Sequence, residues 1–467
     1  MHFTEERARH SEPDVDCGES PVYVGPMHCL VAATPNAPHL GTLLPLWSVV
    51  PFAAMLVCIA VLPLAAGKLW ESNLNKAVLS AVLGVPVAIW TATLDPTAVT
   101  HAASEYLAFI VLLGALFVIS GGIVVRGTLA GTPGLNAVLI AIGAVLASVV
   151  GTTGASMLLI RPLLRANSIR LRKAHVFVFF IFVVANGGGL LTPMGDPPLF
   201  LGFLRGVPFT WTLRLWREWM FVNGILLVLF YIVDSTIFRR EDLARPGDLD
   251  QIAVEHQVPL SIAGKRNLLY LGGVAAVLLA SGTLRLHPLF QDAGMLAMAA
   301  LSLWTTPKGL RGENGFTWSP ILEVAALFAG IFATMIPALA ILNARGSQLG
   351  LEHPWQYFWA SGALSSFLDN APTYLTFASA ASGTMGTNSE NLGELLLSER
   401  GAALLEAISI GSVFMGANTY IGNGPNFMVK AIAEQGGVRM PGFFGYMAYS
   451  VAILIPLFVA VTWMFLL

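Results

Sequence analysis

The stretch VVANGGGLLTPMGDPPLFLGF, residues 183–203, decides how this chain folds. It lies in a strongly apolar region where a membrane helix should continue, yet it holds three consecutive glycines, three prolines and Asp196. Proline lacks the N–H that a helix needs, and glycine favours turns. We therefore predict that the helix unwinds here and that a new helix starts near Leu199. Irregular backbone at membrane depth is tolerated only where it is buried in protein or lines a wet cavity.

The composition indicates an all-α polytopic membrane protein. Of the 467 residues, 55% are hydrophobic and only 11% are charged, with a mean hydropathy of +0.71, whereas soluble proteins carry roughly 25% charged residues. The lipid bilayer is therefore the expected partner. A net charge of −2 without a basic stripe argues against nucleic acid.

Sequence motifs of enzymes and resident cofactors are missing. There is no HExxH, GxSxG or P-loop, and the three cysteines, Cys17, Cys29 and Cys58, form no CxxC pair. We therefore predict a protein that is not an enzyme and has no cofactor, although Na⁺ could be transported or coupled.

Ten apolar stretches are long enough to predict membrane spans, since a spanning helix needs about 20 mostly apolar residues. They are 43–66, 77–94, 105–125, 174–190, 219–238, 268–285, 291–306, 319–344, 402–418 and 443–467. Two further stretches, 135–166 and 355–382, are broken near the middle. Their arms look too short to cross, which favours helical hairpins that enter and leave by one face; a kinked helix with an amphipathic extension is the alternative.

The same order of elements occurs twice along the chain: three spans, a hairpin, an interrupted span and a last span. The second interruption, ANTYIGNGPNF from Ala417, begins with Ala-Asn like the first and also reaches a Gly-containing turn and a proline. Five spans per copy would place the two copies in opposite orientations. We predict a polar tail, a first repeat, a cytoplasmic linker and an inverted second repeat at 1–41, 42–238, 239–266 and 267–467.

Lysine and arginine set the expected orientation. If the first hairpin opens to the cytoplasm, 17 of these residues lie inside and 8 outside, as the positive-inside rule requires. We expect a multi-pass protein of the inner (plasma) membrane with both termini facing outward.

The two acids in the breaks are the main candidates for ion binding. Asp196 lies in the first break and Asp369 at the tip of the second hairpin, and a charge at that depth costs roughly 3 kcal/mol, so it usually has a function. Neutral oxygen ligands are expected from Thr152, Thr153, Ser156, Asn186, Thr192, Asn370, Thr373, Asn418 and Asn423. Glu323, Glu406 and Asp234 are expected to pair helices, and His175 is expected at the surface.

The stretches GTTGASMLLIRPLLRAN, VVANGGGLLTPMGDPPLFLGF and SSFLDNAPTYL resemble the ion transporter superfamily, most closely its citrate transporter and NhaD-type sodium/proton antiporter branch. The resemblance implies inverted repeats whose hairpin tips and unwound helices converge on one site, and a homodimer. The string from Asp369 to Thr373 is similar to the DNxPT motif of the antiporter and arsenite branches. The Ser-Asn-Thr triplet typical of dicarboxylate symporters is missing from both tips.

Two functions remain open on this basis. In a sodium (cation)/proton antiporter, Asp196 and Asp369 would bind either Na⁺ or a proton, but not both. In a Na⁺- or H⁺-coupled symporter for citrate or a dicarboxylate, helix N-termini would face a small organic anion and the aspartates would hold the coupling cation.

Overall fold

The computed structural model describes residues 40–66, 70, 72–128, 131–244, 258–284 and 286–467. The predicted tail therefore lies almost wholly outside the described residues, as do Cys17 and Cys29 and the middle of the predicted linker.

The first half of the chain contains eight labelled helices and one strand. They are α1 (Val50–Ala65), α2 (Asn73–Leu94), α3 (Pro96–Gly121), β1 (Val124–Thr128), α4 (Pro133–Val150), α5 (Thr152–Ala166), α6 (Ala174–Val183), α7 (Pro197–Leu204) and α8 (Trp216–Ala244). Between α6 and α7 the chain leaves the α-helix, passes through a 3₁₀ turn at Gly187–Leu191 and becomes extended at Thr192. The glycines and prolines of residues 183–203 thus interrupt the helix where the sequence predicts.

The second half repeats this order. It contains β2 (Val258–Ala263), α9 (Arg266–Leu284), α10 (Pro288–Thr305), α11 (Ser319–Arg345), α12 (Pro354–Ser365), α13 (Asn370–Met385), α14 (Glu399–Met415), α15 (Gly424–Gln435) and α16 (Phe443–Val461). A 3₁₀ turn at Gly416–Asn418 separates α14 from α15. One-turn helices at Leu40–Leu43 and Leu310–Glu313 are left unnumbered.

Nine helices in the described part of the chain are long and apolar enough to cross a membrane. Eight of them coincide with predicted spans. The predicted spans 43–66 and 291–306 do not meet these limits, because α1 has only 16 residues and α10 carries Gln291 and Asp292. The chain is a multi-pass, mainly helical membrane protein.

The ninth of these helices is α4, the first arm of the predicted hairpin at 135–166. It has 18 residues and qualifies by length and composition, so the expectation that both arms are too short was wrong for this arm. The second hairpin fits the expectation better, because its arms α12 and α13 have 12 and 16 residues.

A two-stranded antiparallel ribbon, which the sequence reading missed, joins the two halves. β1 pairs with β2, with Val124 opposite Ala263 and Arg126 opposite Ser261. β2 lies within the predicted linker 239–266, so that linker is not wholly irregular, and α8 continues into it as far as Ala244. The β-branched residues of β1 thus pair with β2, a strand that lies far away in the sequence.

The helices pack as two groups. The first, which we call the wall group, consists of α1, α2, α3, α9, α10 and α11, whose members contact one another. The second, the hairpin group, consists of both hairpins, both interrupted helices, α8 and α16. The groups meet along α3 and α11, which contact α5, α7 and α13. The candidate site lies at this boundary.

Candidate functional site

Four helix N-termini lie around one site. The residues that precede α5, α7, α13 and α15 are Gly151, Asp196, Asp369 and Asn423. The first N–H groups of a helix have no partner within it and carry partial positive charge. Gly151 has a φ of 82°, and a Cβ there would lie 3.3 Å from the carbonyl of Met194, so glycine is required at this tip.

Asp196 is the residue on which the four elements converge. Its Oδ1 accepts hydrogen bonds from Thr152 Oγ1 at 3.1 Å and from Asn423 Nδ2 at 3.4 Å. Its Oδ2 accepts from Asn370 Nδ2. The side chain is only 1% exposed. One buried carboxylate thus receives donors from the first hairpin, the second hairpin and the second break.

Asn186 connects the two breaks to each other through hydrogen bonds close to Asp196. Its amide donates to Ile181 O at 2.8 Å and to Asn426 Oδ1 at 2.7 Å, and its oxygen accepts from Asn423 Nδ2 at 3.2 Å. Asn426 in turn donates to the carbonyls of Gly416 and Thr419. The freed backbone carbonyls of the second break are therefore satisfied by side-chain amides.

Each break is braced against its own hairpin by the same pair of contacts. In the first half, Thr192 Oγ1 donates to Ser148 O, and Ser148 Oγ donates to Gly188 O at 2.6 Å. The equivalent contacts of the second half follow at matching positions: Thr419 Oγ1 donates to Ser366 O at 2.5 Å, and Ser366 Oγ donates to Met415 O at 3.2 Å.

These contacts match the two breaks differently from the Ala-Asn pairs. Matching the Ala-Asn pairs would place Asn186 opposite Asn418, but the repeated contacts place Thr192 opposite Thr419. Asp196 is then equivalent to Asn423, and both precede a helix with extended backbone, at φ −143° and −152°. The two Ala-Asn asparagines make different contacts, because Asn186 bonds across the breaks whereas Asn418 bonds Ser366 in the second hairpin.

A cavity of about 100 Å³ lies against the site, large enough for several water molecules. Its polar side is formed by Asp196, Asp369, Asn423 and the tip residues Thr152 and Thr153, and its apolar side by α3 and α11. No lysine or arginine of the described residues lines it. The two predicted carboxylates therefore share one cavity.

Asp369 and the remaining predicted residues are placed as follows. Asp369 accepts a hydrogen bond from Ala371 N at 3.1 Å and caps α13, and Thr373 Oγ1 donates back to its carbonyl at 2.9 Å. Ser156 and Asn418 lie away from the cavity lining, on α5 and in the second break. Asn418, Thr192, Thr373 and Asn186 hydrogen-bond to neighbouring backbone or side chains and do not line the cavity, whereas the buried hydroxyl of Ser156 has no partner among the described residues.

A buried ionic cluster lies at the other end of the first hairpin. Asp234 accepts from Arg170 Nη1 at 2.6 Å and lies 2.9 Å from His175 Nε2. It also accepts from Asn136 at 3.0 Å. Asp234 pairs helices as expected, but the expectation of a surface His175 was wrong, since that residue is 4% exposed. A single sequence did not reveal that a partner acid lies 59 positions further on.

The other two acids expected to pair helices also form ion pairs with basic side chains. Glu323 lies 2.8 Å from Lys76 between α11 and α2. Glu406 lies 3.8 Å from Arg214. Neither contributes to the cavity lining.

Sequence reasoning missed Asn426, Ser148, Ser366 and Thr419. Asn426, Ser148 and Ser366 donate to backbone carbonyls at the breaks, and Thr419 donates from a break to the carbonyl of Ser366 in the second hairpin. The sequence did contain a signal for the two serines. Ser148 lies four positions before Thr152 and Ser366 lies four positions before Asn370, and both Thr152 and Asn370 donate to Asp196.

Comparison with known proteins gives one family. The family described as "Putative citrate transport" matches residues 41–466, nearly the whole chain. No curated protein matched the chain in a sequence comparison. The resemblance to the citrate transporter branch is thus confirmed.

Proposed function

The chain belongs to the family described as "Putative citrate transport" and is a multi-pass membrane transporter, and from this premise we propose that it is a sodium (cation)/proton antiporter that uses Asp196 and Asp369. The observation that carries this proposal is the single cavity with two carboxylates and, among the described residues, no lysine or arginine in its lining. Such a lining attracts a cation and repels a multiply charged anion.

The hydrogen bonds around Asp196 suit exchange of a proton for Na⁺. A carboxylate can hold a proton or ligate a cation, but the same oxygens cannot do both. Thr152 offers a hydroxyl, and Asn370 and Asn423 offer amides. An amide donates N–H in one orientation and, turned by half a turn, presents an oxygen ligand. The same residues can therefore stabilise the bare carboxylate and complete a shell of hard oxygen ligands.

Purified protein in liposomes with an entrapped pH-sensitive dye tests the proposal. A Na⁺ gradient is expected to drive proton movement in the parent chain, and the apparent KM for Na⁺ is expected to rise as the pH falls because protons compete. Asp196→Asn and Asp369→Asn should abolish the exchange. Asp292→Asn, an acid on α10 outside the cavity lining, is the matched control. Undiminished exchange in both site variants refutes the proposal.

A Na⁺- or H⁺-coupled symporter for citrate or a dicarboxylate is the second candidate. The family description favours it, and so do the four helix N-termini, whose partial positive charges attract anions. Uptake of radiolabelled citrate with and without a Na⁺ or pH gradient separates the two candidates. Gradient-dependent citrate uptake, without cation exchange in the absence of citrate, would favour symport.

We further propose that the two halves are inverted repeats, with boundaries near 42–238 and 267–467. The matching braces Thr192–Ser148 and Thr419–Ser366 support equivalence of the halves. The excess of Lys and Arg on one side supports an inner-membrane orientation with the ribbon in the cytoplasm. Labelling of single cysteines from each side tests the topology, and crosslinking in membranes tests for a homodimer.

A further inference from the structure

One buried ion pair crosses the boundary between the wall group and the hairpin group. Arg205 donates from Nε to Glu105 Oε1 at 2.7 Å and from Nη2 to Glu105 Oε2 at 2.8 Å. Glu105 is 2% exposed and Arg205 is 6% exposed. Two parallel charge-assisted bonds of this kind are among the strongest that side chains make.

The other ion pairs of the described residues stay within one group or its adjoining loops. Lys76 and Glu323 both belong to the wall group, whereas Arg170 and Asp234 both belong to the hairpin group. Glu105 lies on α3 of the wall, and Arg205 ends α7, the helix that begins after Asp196. Arg205 also donates from Nη1 to Ser389 O at 3.2 Å, which brings the loop after the second hairpin into the same contact.

The ion pair lies one helical turn beyond one end of the cavity, on the same face of α3. Glu105, Phe109, Leu112 and Leu116 follow one another at helical spacing on α3, and the last three line the cavity together with Phe117. Glu105 and Phe117 are about 18 Å apart along the helix. The lining therefore reaches from Phe109, one turn from Glu105, to Phe117, and it includes Pro320 at the start of α11, which is partly exposed.

We propose that the Glu105–Arg205 pair is a latch that closes the pathway beyond the Phe109 end of the cavity, and that it must open in each transport cycle. A carrier with one site must expose Asp196 to the two sides in turn. Exposure at the Glu105 end requires α7 to separate from α3, and the pair holds these two helices together. By the predicted orientation, the latch faces the outside and the Pro320 end of the cavity faces the cytoplasm.

The latch depends on the proposed function only through alternating access, whichever ion or anion is carried. The experiment therefore measures accessibility rather than transport. In a chain whose Cys17, Cys29 and Cys58 are replaced by alanine, single cysteines report on each end: Ser389→Cys beside the latch and Leu113→Cys in the cavity lining. The probe is a membrane-impermeant maleimide applied to right-side-out and inside-out vesicles.

Glu105→Gln and Arg205→Met are expected to raise the labelling rate at Ser389→Cys by about tenfold and to lower it at Leu113→Cys, because the population shifts towards the opposite conformation. The double exchange Glu105→Arg with Arg205→Glu should restore much of the protection. Glu323→Gln, which breaks an ion pair inside the wall group, is the matched control and should change neither rate.

Two results would overturn the latch. The first is an unchanged rate at Ser389→Cys in well-folded Glu105→Gln protein. The second is a rise at both reporters together, which would indicate general loosening of the fold. Size-exclusion profiles of every variant establish that the labelled protein is folded, and Arg205→Lys, which keeps the charge but not the paired geometry, supplies a milder variant with an expected intermediate rate.

Discussion

Asn423 donates a hydrogen bond to the carboxylate of Asp196 over 3.4 Å although 227 residues separate them. The two residues occupy equivalent positions in the two halves, each directly before the helix that follows a break. One half supplies an acid and the other an amide. If the two halves are the repeats proposed above, their copies differ in the chemistry of this position.

The hydroxyl of Thr152 should determine cation affinity. Thr152→Val removes the donor at 3.1 Å from Asp196 Oδ1, and a hydrogen bond to a charged group contributes about 1.5–3 kcal/mol. We expect the KM for the cation to rise roughly tenfold or more, whereas Thr152→Ser retains most of the affinity. Initial rates over a range of cation concentrations measure this. Thr283→Val, on α9 and outside the cavity lining, is the control, and an equal loss in it would contradict the assignment.

Two glycines of the breaks should not tolerate alanine. A Cβ on Gly195 would meet the carbonyl of Gly189, and one on Gly422 would lie 2.6 Å from the carbonyl of Gly416. Because backbone must move to relieve the overlap, each alanine should destabilise the protein by about 1–3 kcal/mol. Thermal unfolding in detergent measures the effect. Gly424→Ala has no atom within 4 Å of the new Cβ and should leave the melting temperature unchanged; a fall as large as in the other two would be inconsistent with this reason.

The two threonine braces should both contribute to stability, to a similar extent. Thr192→Val and Thr419→Val each remove the hydrogen bond from a break to a hairpin carbonyl. They also remove the bonds that the hydroxyl accepts, from Met194 N in the first break and from Ile421 N and Gly422 N in the second, so each should cost about 1–3 kcal/mol. The measurement is the melting temperature together with the rate of proteolysis at the breaks. Thr334→Val removes a bond to Gly330 O inside a helix, where the carbonyl keeps a backbone partner, and should cost less. Strongly unequal effects of the two braces would argue against equivalent halves.

Asp234 should matter for stability and not for cation binding. Asp234→Asn leaves the buried Arg170 with Glu241 at 3.3 Å as its remaining acid, and loss of one partner of a buried pair costs about 3–5 kcal/mol. We expect a lower yield and a lower melting temperature, with the KM of the surviving protein unchanged. A changed KM with normal stability would instead place Asp234 in the ion pathway.

The exposed pair Arg126–Glu313 provides the control for Asp234. Its side chains are 49% and 41% exposed, and Glu313→Gln should have little effect on stability. The hydrogen bond and charge of Arg126 hold the pKa of Glu313 below its usual value. The contribution of this pair is therefore present at neutral pH and is lost only as the pH falls through that lowered pKa.

The sequence by itself determined where the backbone must break and in what order the elements follow. Residues 183–203 and the turn at Asn423-Gly424-Pro425 cannot continue a helix, because proline and glycine act on the local backbone wherever they occur. The apolar stretches likewise determined most of the spans. The length of the arm α4 was misjudged, because the sequence around a break does not show how far the helix on each side extends before its packing neighbours are known.

Only the tertiary structure decided which side chains meet. It placed Asn370 and Asn423 on Asp196, bonded Thr192 and Thr419 to hairpin carbonyls, and buried His175 beside Asp234 and Arg205 beside Glu105. These contacts join residues that are many positions apart, so their geometry depends on how whole helices pack. Local preferences leave a signal in each short segment, but a hydrogen bond between distant segments leaves none until the fold brings its two atoms within reach.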